Sequence, residues 1–363
     1  MEESVMNRRA HMVLAINPGS TSTKIAVYKD EEPLFTESVA HSAQELAGFT
    51  HITDQLDMRR AVVERVLVDH GIDIHSLSAV ACRGGRLKPL PSGTYLVNER
   101  MVHDAERGVQ GEHASNLACI IGYDIAKRAG VEAYIVDPVS VDELDDVARL
   151  CGVKEIKRNS LSHALNMKAV ARRAAADVGL EYGAARVIVA HIGGGGSVSA
   201  HADGRMIEIN NCDKEGPFSA ERAGAIPSLD LVELCFSGRY TKDEVMRMLV
   251  GGGGLMSHLG TKDAREVERR IDEGDRYAEM VYEAMAYGFA KAIGSMAAVL
   301  GGRVDVVAIT GGMAHSARLT QWIAERVGFI APVKVYPGED ELRALVEGVL
   351  RVLRNQELPA IYE

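Results

Sequence analysis

The sequence runs to 363 residues, with 47% hydrophobic and 25% charged residues, one Trp and a net charge of −10. That length exceeds one ordinary core and suits two domains of roughly 150–200 residues each. The acidic balance excludes a general binder of nucleic acid or anionic membrane, so any phosphate affinity must be local.

The five cysteines (Cys82, Cys119, Cys151, Cys212, Cys235) show no CxxC spacing. An odd, scattered set points to reduced thiols in a cytoplasmic protein. The opening MEESVMNRRAHM starts acidic and lacks an apolar h-region, so it reads as a short tail and not as a signal peptide. No stretch approaches the ~20 apolar residues of a membrane span.

The pattern predicts a strand over Met12–Ile16, a turn over Asn17–Thr23 and a returning strand over Lys24–Tyr28. Pro33–Ala40 adds a third antiparallel strand. Asp54–His70 has helical periodicity and Leu77–Cys82 is a strand ending in RGGR. A proline-rich loop, LKPLPSGTYLV, leads to a short strand. Gly111–Ala129 reads as a helix, and Val131–Val136 as a strand ending at Asp137. Asp142–Leu150 reads as a helix, and Cys151–Asn159 is a polar connection taken as the domain boundary. The expected domains are therefore 12–155 and 156–339, with a final helix over about 340–355.

The second half repeats the order of the first. A helix over Ser160–Val178 carries His163. Arg186–His201, RVIVAHIGGGGSVSAH, is a second hairpin with a small-residue turn, and Arg205–Asn210 is its third strand. Turns rich in Gly, Ser and Thr let backbone approach an anion closely. Neither turn is a Walker loop or a dinucleotide fingerprint, because a strand follows each one. Two such hairpins suggest a duplicated fold with a nucleotide clamped between the halves.

Beyond the loop GPFSAERAGAIPS, helices are expected at Leu229–Phe236 and Lys242–Val250. GGGG at 251–254 lies between helices and reads as a flexible linker or hinge. A long helical region spans about Asp263–Leu300 with a break near Gly274, and its apolar residues read as buried core. Val304–Ile309 is a strand before TGGMAHS, where backbone amides can face an adenosine or phosphate group. Ala317–Val327 is a helix.

AINPGSTSTK, VIVAHIGGGGS, ERAGAIPS and AITGGMAHS together resemble the motifs of the acetate kinase/butyrate kinase family, within the superfamily of sugar kinases, Hsp70 chaperones and actin. SHALNMKAVARR and VYPGEDELRAL resemble its butyrate kinase branch. The resemblance runs in order from about Met12 to Leu353. It implies an α/β, duplicated ribonuclease-H-like (actin-like ATPase) fold: two domains, mixed sheets flanked by helices, and ATP in the interdomain cleft. It also implies that the C-terminal helix packs back onto the first domain. The implied reaction is Mg²⁺-dependent, reversible phosphoryl transfer from ATP to a short-chain carboxylate, giving an acyl phosphate and ADP. A homodimer or higher homo-oligomer is implied, without nucleic-acid or membrane partners.

Carried over residue by residue, Asn17, Ser20, Ser22 and Lys24 match the first phosphate motif. His191, Gly193, Gly194, Gly195, Gly196 and Ser197 match the second, and Thr310, Gly311, Gly312 and Met313 the adenosine motif. Asp137 falls at the position of the catalytic Asp, His163 at that of the His proposed to stabilise the transferring phosphoryl group, and Arg222 at that of the Arg holding carboxylate and phosphoryl oxygens. Arg83 lies near the family's other Arg, offset by two residues. One of Glu339, Asp340 and Glu341 matches the magnesium-linked acid. Ser162 stands where acetate kinases typically have Phe, which suggests room for a four-carbon chain. The alternatives are a branched-chain (isobutyrate or isovalerate) or propionate kinase and, from another class, a non-enzymatic ATP-gated binding protein.

Overall fold

The computed structural model describes residues 10–363; the start of the expected tail, residues 1–9, lies outside the described residues. The strands are β1 (Met12–Pro18), β2 (Ser22–Lys29), β3 (Glu32–Ala40), β4 (Ala79–Arg83), β5 (Thr94–Leu96), β6 (Glu132–Val136), β7 (Val187–Ile192), β8 (Gly196–Ala202), β9 (Arg205–Ile209), β10 (Val306–Gly311), β11 (Val333–Pro337) and β12 (Ala360–Ile361). The chain divides into two compact units: residues up to Ser140 together with Asp340–Glu363, and Val141–Glu339. The connection expected at Cys151–Asn159 therefore falls inside the second unit.

In the first unit the strand order is β12-β5-β6-β4-β1-β2-β3, and in the second β11-β10-β7-β8-β9. Each sheet contains an antiparallel three-strand meander whose first strand is continued by parallel neighbours, β4 then β6 in one and β10 then β11 in the other. The same order and the same strand directions in both units are the duplication that the two hairpins suggested.

Helices cover both faces of each sheet, and the pleat decides which residues meet them. In the first unit, helix Asn116–Ala129 packs on β4 and β6, and a Cβ on its Gly122 would overlap Cys82. Helix Glu341–Leu353 packs on β1, β4 and β6, and a Cβ on its Gly348 would lie 2.5 Å from Val136. Val136 pairs with Arg83, one residue past Cys82, so the two helices lie on opposite faces. The terminal helix thus packs on the first unit's sheet.

In the second unit, Ile188, Ala190, Val198 and Ala200 bury one face against helix Arg276–Val299. The opposite face carries His191, Ser197 and Ser199. Helix Ala164–Ala176 covers it, with Asn166 bonded to His191. Alternation along β7 and β8 therefore separates a dry core from a polar face. Helix Arg276–Val299 buries Phe289, Met285 and Ile293, so its apolar stripe is core.

Local expectations need correction at several points. Asp142–Leu150 holds only a short 3₁₀ turn, Asp146–Arg149. Ion pairs hold this segment instead, with Lys168 on Glu143 at 2.7 Å and Arg149 on Asp142 at 2.8 Å. Helix Glu99–Arg107 and strand β11 were not expected; β11 is a short edge strand ending in Pro.

GGGG at 251–254 is not a loose linker. Gly251 N–H donates to Glu221 O at 2.8 Å, and Leu255 N–H donates to Ser219 O at 3.1 Å. A Cβ on Gly253 would overlap the Ala223 amide, and one on Gly254 would overlap the Ser219 carbonyl. Gly254 also has φ +63°, in the region that favours glycine. The glycines are absent side chains that let this segment press against the loop carrying Arg222.

Candidate active site

The first unit gathers its candidates at the carboxyl ends of parallel strands, where α/β sheets place their chemistry. Asn17 is the next-to-last residue of β1, Arg83 ends β4, and Asp137 follows β6. Glu341, in the first turn of the terminal helix, joins two of them. Its Oε2 accepts from Asn17 Nδ2 at 2.6 Å, and its Oε1 accepts from Arg83 Nη1. This bond gives Arg83 a definite place despite its two-residue offset.

Asp137 is buried with φ +39°, unusual for a residue with a Cβ. Its carboxylate accepts from Ser92 Oγ at 2.5 Å and from Gly93 N–H at 2.9 Å, which holds the strained turn. The β1–β2 turn is tighter than expected: Asn17 pairs with Lys24 and Pro18 with Thr23, leaving only Gly19–Thr21 unpaired. Ser20 and Lys24 are exposed and Ser22 is half-buried. Arg59 closes the turn from within, through bonds to Ser20 O, Ser22 O and Thr23 Oγ1.

The second unit groups His163, His191, the glycine turn and Arg222. The imidazoles of His163 and His191 stack with centroids 3.9 Å apart and planes within 10°. His163 Nδ1 lies 3.1 Å from Ser197 Oγ, and His191 Nδ1 lies 2.9 Å from Asn166 Oδ1. His191 Nε2 is 3.1 Å from a Glu339 carboxylate oxygen, yet too poorly aligned for a hydrogen bond. A Cβ on Gly195 would contact His163, Cys212 and Arg222, at 3.6, 3.7 and 3.9 Å. The turn thus brings the expected His and Arg to one backbone position.

Arg222 is held by its neighbours. Its Nε donates to Asp213 at 3.2 Å and its Nη1 to Glu221 at 3.2 Å. Its Nη2 donates to no protein group among the described residues. Glu221 also pairs with Lys262 at 2.8 Å. Burial pushes the Glu221 carboxyl up, but Lys262 and Arg222 outweigh it and hold the group below its usual value. Glu221 N–H and Ser219 Oγ donate to Gly194 O at 3.1 and 2.5 Å, tying the Arg loop to the glycine turn.

The adenosine motif divides. Thr310 is buried and its hydroxyl donates to Gly338 O at 3.2 Å, and Met313 lies in the apolar core. Gly311 exchanges backbone bonds with Gly338, whereas Gly312 is exposed with open space above it. The acidic cluster also divides: Glu339 faces His191, Asp340 caps the terminal helix, and Glu341 binds Asn17 and Arg83.

Several partners were not foreseen: Arg59, Asn166, Asp213, Glu221 and Asn210, whose Nδ2 donates to Gly196 O at 2.9 Å. Asn166 was within reach of the sequence, since it follows His163 by three residues on one helix face.

Comparison with known proteins decides the ancestry. The chain is 50% identical over 96% of its length to a "Probable butyrate kinase 2" of Caldanaerobacter subterraneus subsp. tengcongensis, covering 99% of that protein. It is 52% identical over 95% of its length to a butyrate kinase 2 of Clostridium acetobutylicum, covering 97% of it. The acetokinase family profile matches residues 152–330. The chain belongs to the acetokinase family. Its fold is that of a solved acetate kinase from Porphyromonas gingivalis, with a TM-score of 0.77, 94% of this chain and 100% of that one covered, at 19% identity. Family membership and fold now rest on the whole chain and not on the motifs alone.

Proposed function

We propose that this acetokinase-family enzyme transfers the γ-phosphoryl group of ATP to butyrate, giving butyryl phosphate and ADP. The half-identical relatives carry that activity in their names. The observation that carries the chemistry is the Arg222 guanidinium, oriented at Nε and Nη1 and left with Nη2 for a ligand, beside His163 and Gly195.

A carboxylate is ionised at neutral pH, so the acceptor needs no base. It needs its repulsion from the phosphoryl oxygens screened and its line of attack fixed. Arg222 supplies a planar donor fork for that purpose, and His163 a donor held by Ser197. The glycine turn 193–196 brings backbone amides close to the phosphates. Asn17, Ser20, Ser22 and Lys24 are the corresponding donors of the first hairpin. Asp137, pinned by Ser92 and Gly93, orients its surroundings and is not the base.

Magnesium fits Glu341 best among the three acids, because Asn17 and Arg83 fix its carboxylate while lone pairs remain for magnesium-bound water. The ion would neutralise phosphate charge. Ser162, small and buried next to His163, suits a four-carbon chain. Each methylene buried there contributes roughly 0.8 kcal/mol, or about fourfold in affinity. Isobutyrate, isovalerate and propionate are the competing acceptors.

We also read the chain as a homo-oligomer. Helix Ser228–Phe236 (SLDLVELCF) has no buried residue, with Leu229 80% and Phe236 86% exposed. An apolar face of that kind suits a second copy. Five free cysteines fit a reducing, cytoplasmic setting, and no described helix is long and apolar enough to cross a membrane. The direct test is ADP release from ATP and Mg²⁺ with and without butyrate. Butyrate-dependent ADP release supports the reading, and release indifferent to any carboxylate overturns it.

A further inference from the structure

Arg59 is the most deeply buried cation of the first unit, with none of its surface exposed. Helix Leu56–Asp69 carries it beneath the β1–β2 turn. Its Nε donates to Gln55 Oε1 at 3.0 Å, and its Nη1 donates to Ser22 O and Thr23 Oγ1, both at 3.1 Å. Its Nη2 donates to Ser20 O at 3.3 Å. Every acceptor is neutral, and no carboxylate pairs with it among the described residues. His41, whose Nε2 lies 2.9 Å from Thr23 Oγ1, is held below its ordinary value by burial and then by Arg59, which favours the neutral ring beside the guanidinium.

A buried guanidinium without a counter-ion is costly, and a structure tolerates it best where an anion completes it. Three of its four bonds go to the turn assigned to phosphate. They draw the Ser20 and Ser22 carbonyls inward. Because the peptide is planar and trans, drawing the Ser20 carbonyl inward turns the Thr21 N–H to the opposite side.

We propose that Arg59 is a positioning residue of the first phosphate hairpin: it orients the Ser20–Thr23 backbone and supplies, from behind, the positive charge that nucleotide phosphates neutralise. The proposal rests on the nucleotide reading given above. The charge acts through the turn and touches no substrate, so its mark is a preference for polyphosphate over nucleoside.

The test is calorimetric titration of ADP, ATP and adenosine into the full-length protein, Arg59→Lys and Arg59→Gln, with folding checked by circular dichroism. A unit charge about 10 Å away at an effective dielectric near 20 alters affinity by about tenfold. Arg59→Gln should therefore bind ADP and ATP about tenfold more weakly with adenosine unchanged, and Arg59→Lys should stay within about threefold of the parent. Arg59→Met, similar in length and apolar, replaces the Gln variant should that one not fold. Equal losses in the Lys and neutral variants, or a parallel loss for adenosine, would overturn the proposal. Failure of the unaltered protein to bind ADP would overturn the nucleotide reading, and this proposal with it.

Discussion

Between β1 and β2 the chain turns through Gly19–Thr21 above a buried guanidinium, while between β7 and β8 it turns through Gly193–Gly195 with Gly196 against the Phe289 ring. Five strands share their order and directions between the two units, and the first unit adds β5 and β12 at one edge. What differs is the material beneath each turn. The first is held by a charge and by hydroxyls. The second is held by close packing, since a Cβ on Gly196 would lie 2.6 Å from the Phe289 ring, and by bonds from Ser219 and Glu221 to Gly194 O. The fold sets where a phosphate turn goes, and the side chains behind it set how it is stiffened.

The largest effect should come from the second unit's charge. Arg222→Gln removes the oriented fork and should lower kcat by about 10²–10³-fold, with thermal stability nearly unchanged. Steady-state kinetics with butyrate checks this. Retained turnover would mean that the second turn works by packing alone.

Gly254→Ala should be next. Its Cβ would overlap the Ser219 carbonyl, and φ +63° adds backbone strain. A loss of about 1–3 kcal/mol in denaturant unfolding is expected, together with a fall in kcat as the Arg222 loop shifts. A hinge would instead tolerate alanine.

Gly196→Ala sharpens the contrast between the turns. Alone it should cost about 1–3 kcal/mol by overpacking. Combined with Phe289→Leu, which opens space beneath it, the pair should be about 1 kcal/mol better than the sum of the singles. Additive losses would show that the ring does not stiffen the turn. In the first unit, space should bring no such rescue, because there the support is a charge.

The smallest effect concerns pH. Glu221 is held below the usual glutamate value of 4.5 by Lys262 and Arg222, against burial. A lowered carboxyl stabilises the fold fully above 4.5 and loses that contribution as pH falls through its folded value. The unaltered protein should therefore lose more stability on acidification below 4.5 than Glu221→Gln does. Thermal melts across that range measure the difference, and parallel curves would contradict it.

Much of the architecture was legible because hairpins write themselves in alternation: Val198, Ala200 and Ala202 face the core while Ser197 and Ser199 face the other way. The terminal helix was legible from its apolar period. Strand β11 was not, since VKVYP at a sheet edge is mostly exposed. Nor was the unit boundary, because Arg158 reaches Glu208 and Glu215 across some fifty residues and draws 141–159 into the second unit. In the site, residue types at strand ends were readable, whereas partners were not. The sequence placed three acids at 339–341 without saying that only Glu341 would meet Arg83. Nothing in the helical periodicity of Asp54–His70 singles out Arg59, since burial of a cation leaves no mark in spacing.

The most direct measurement is hydroxylamine trapping of the acyl phosphate formed from ATP and Mg²⁺ with a panel of acids from acetate to isovalerate. Highest kcat/KM with butyrate, falling by about fourfold for each methylene removed, is the predicted result. Trapped product from no acid, or equal efficiency with acetate and butyrate, would contradict the account.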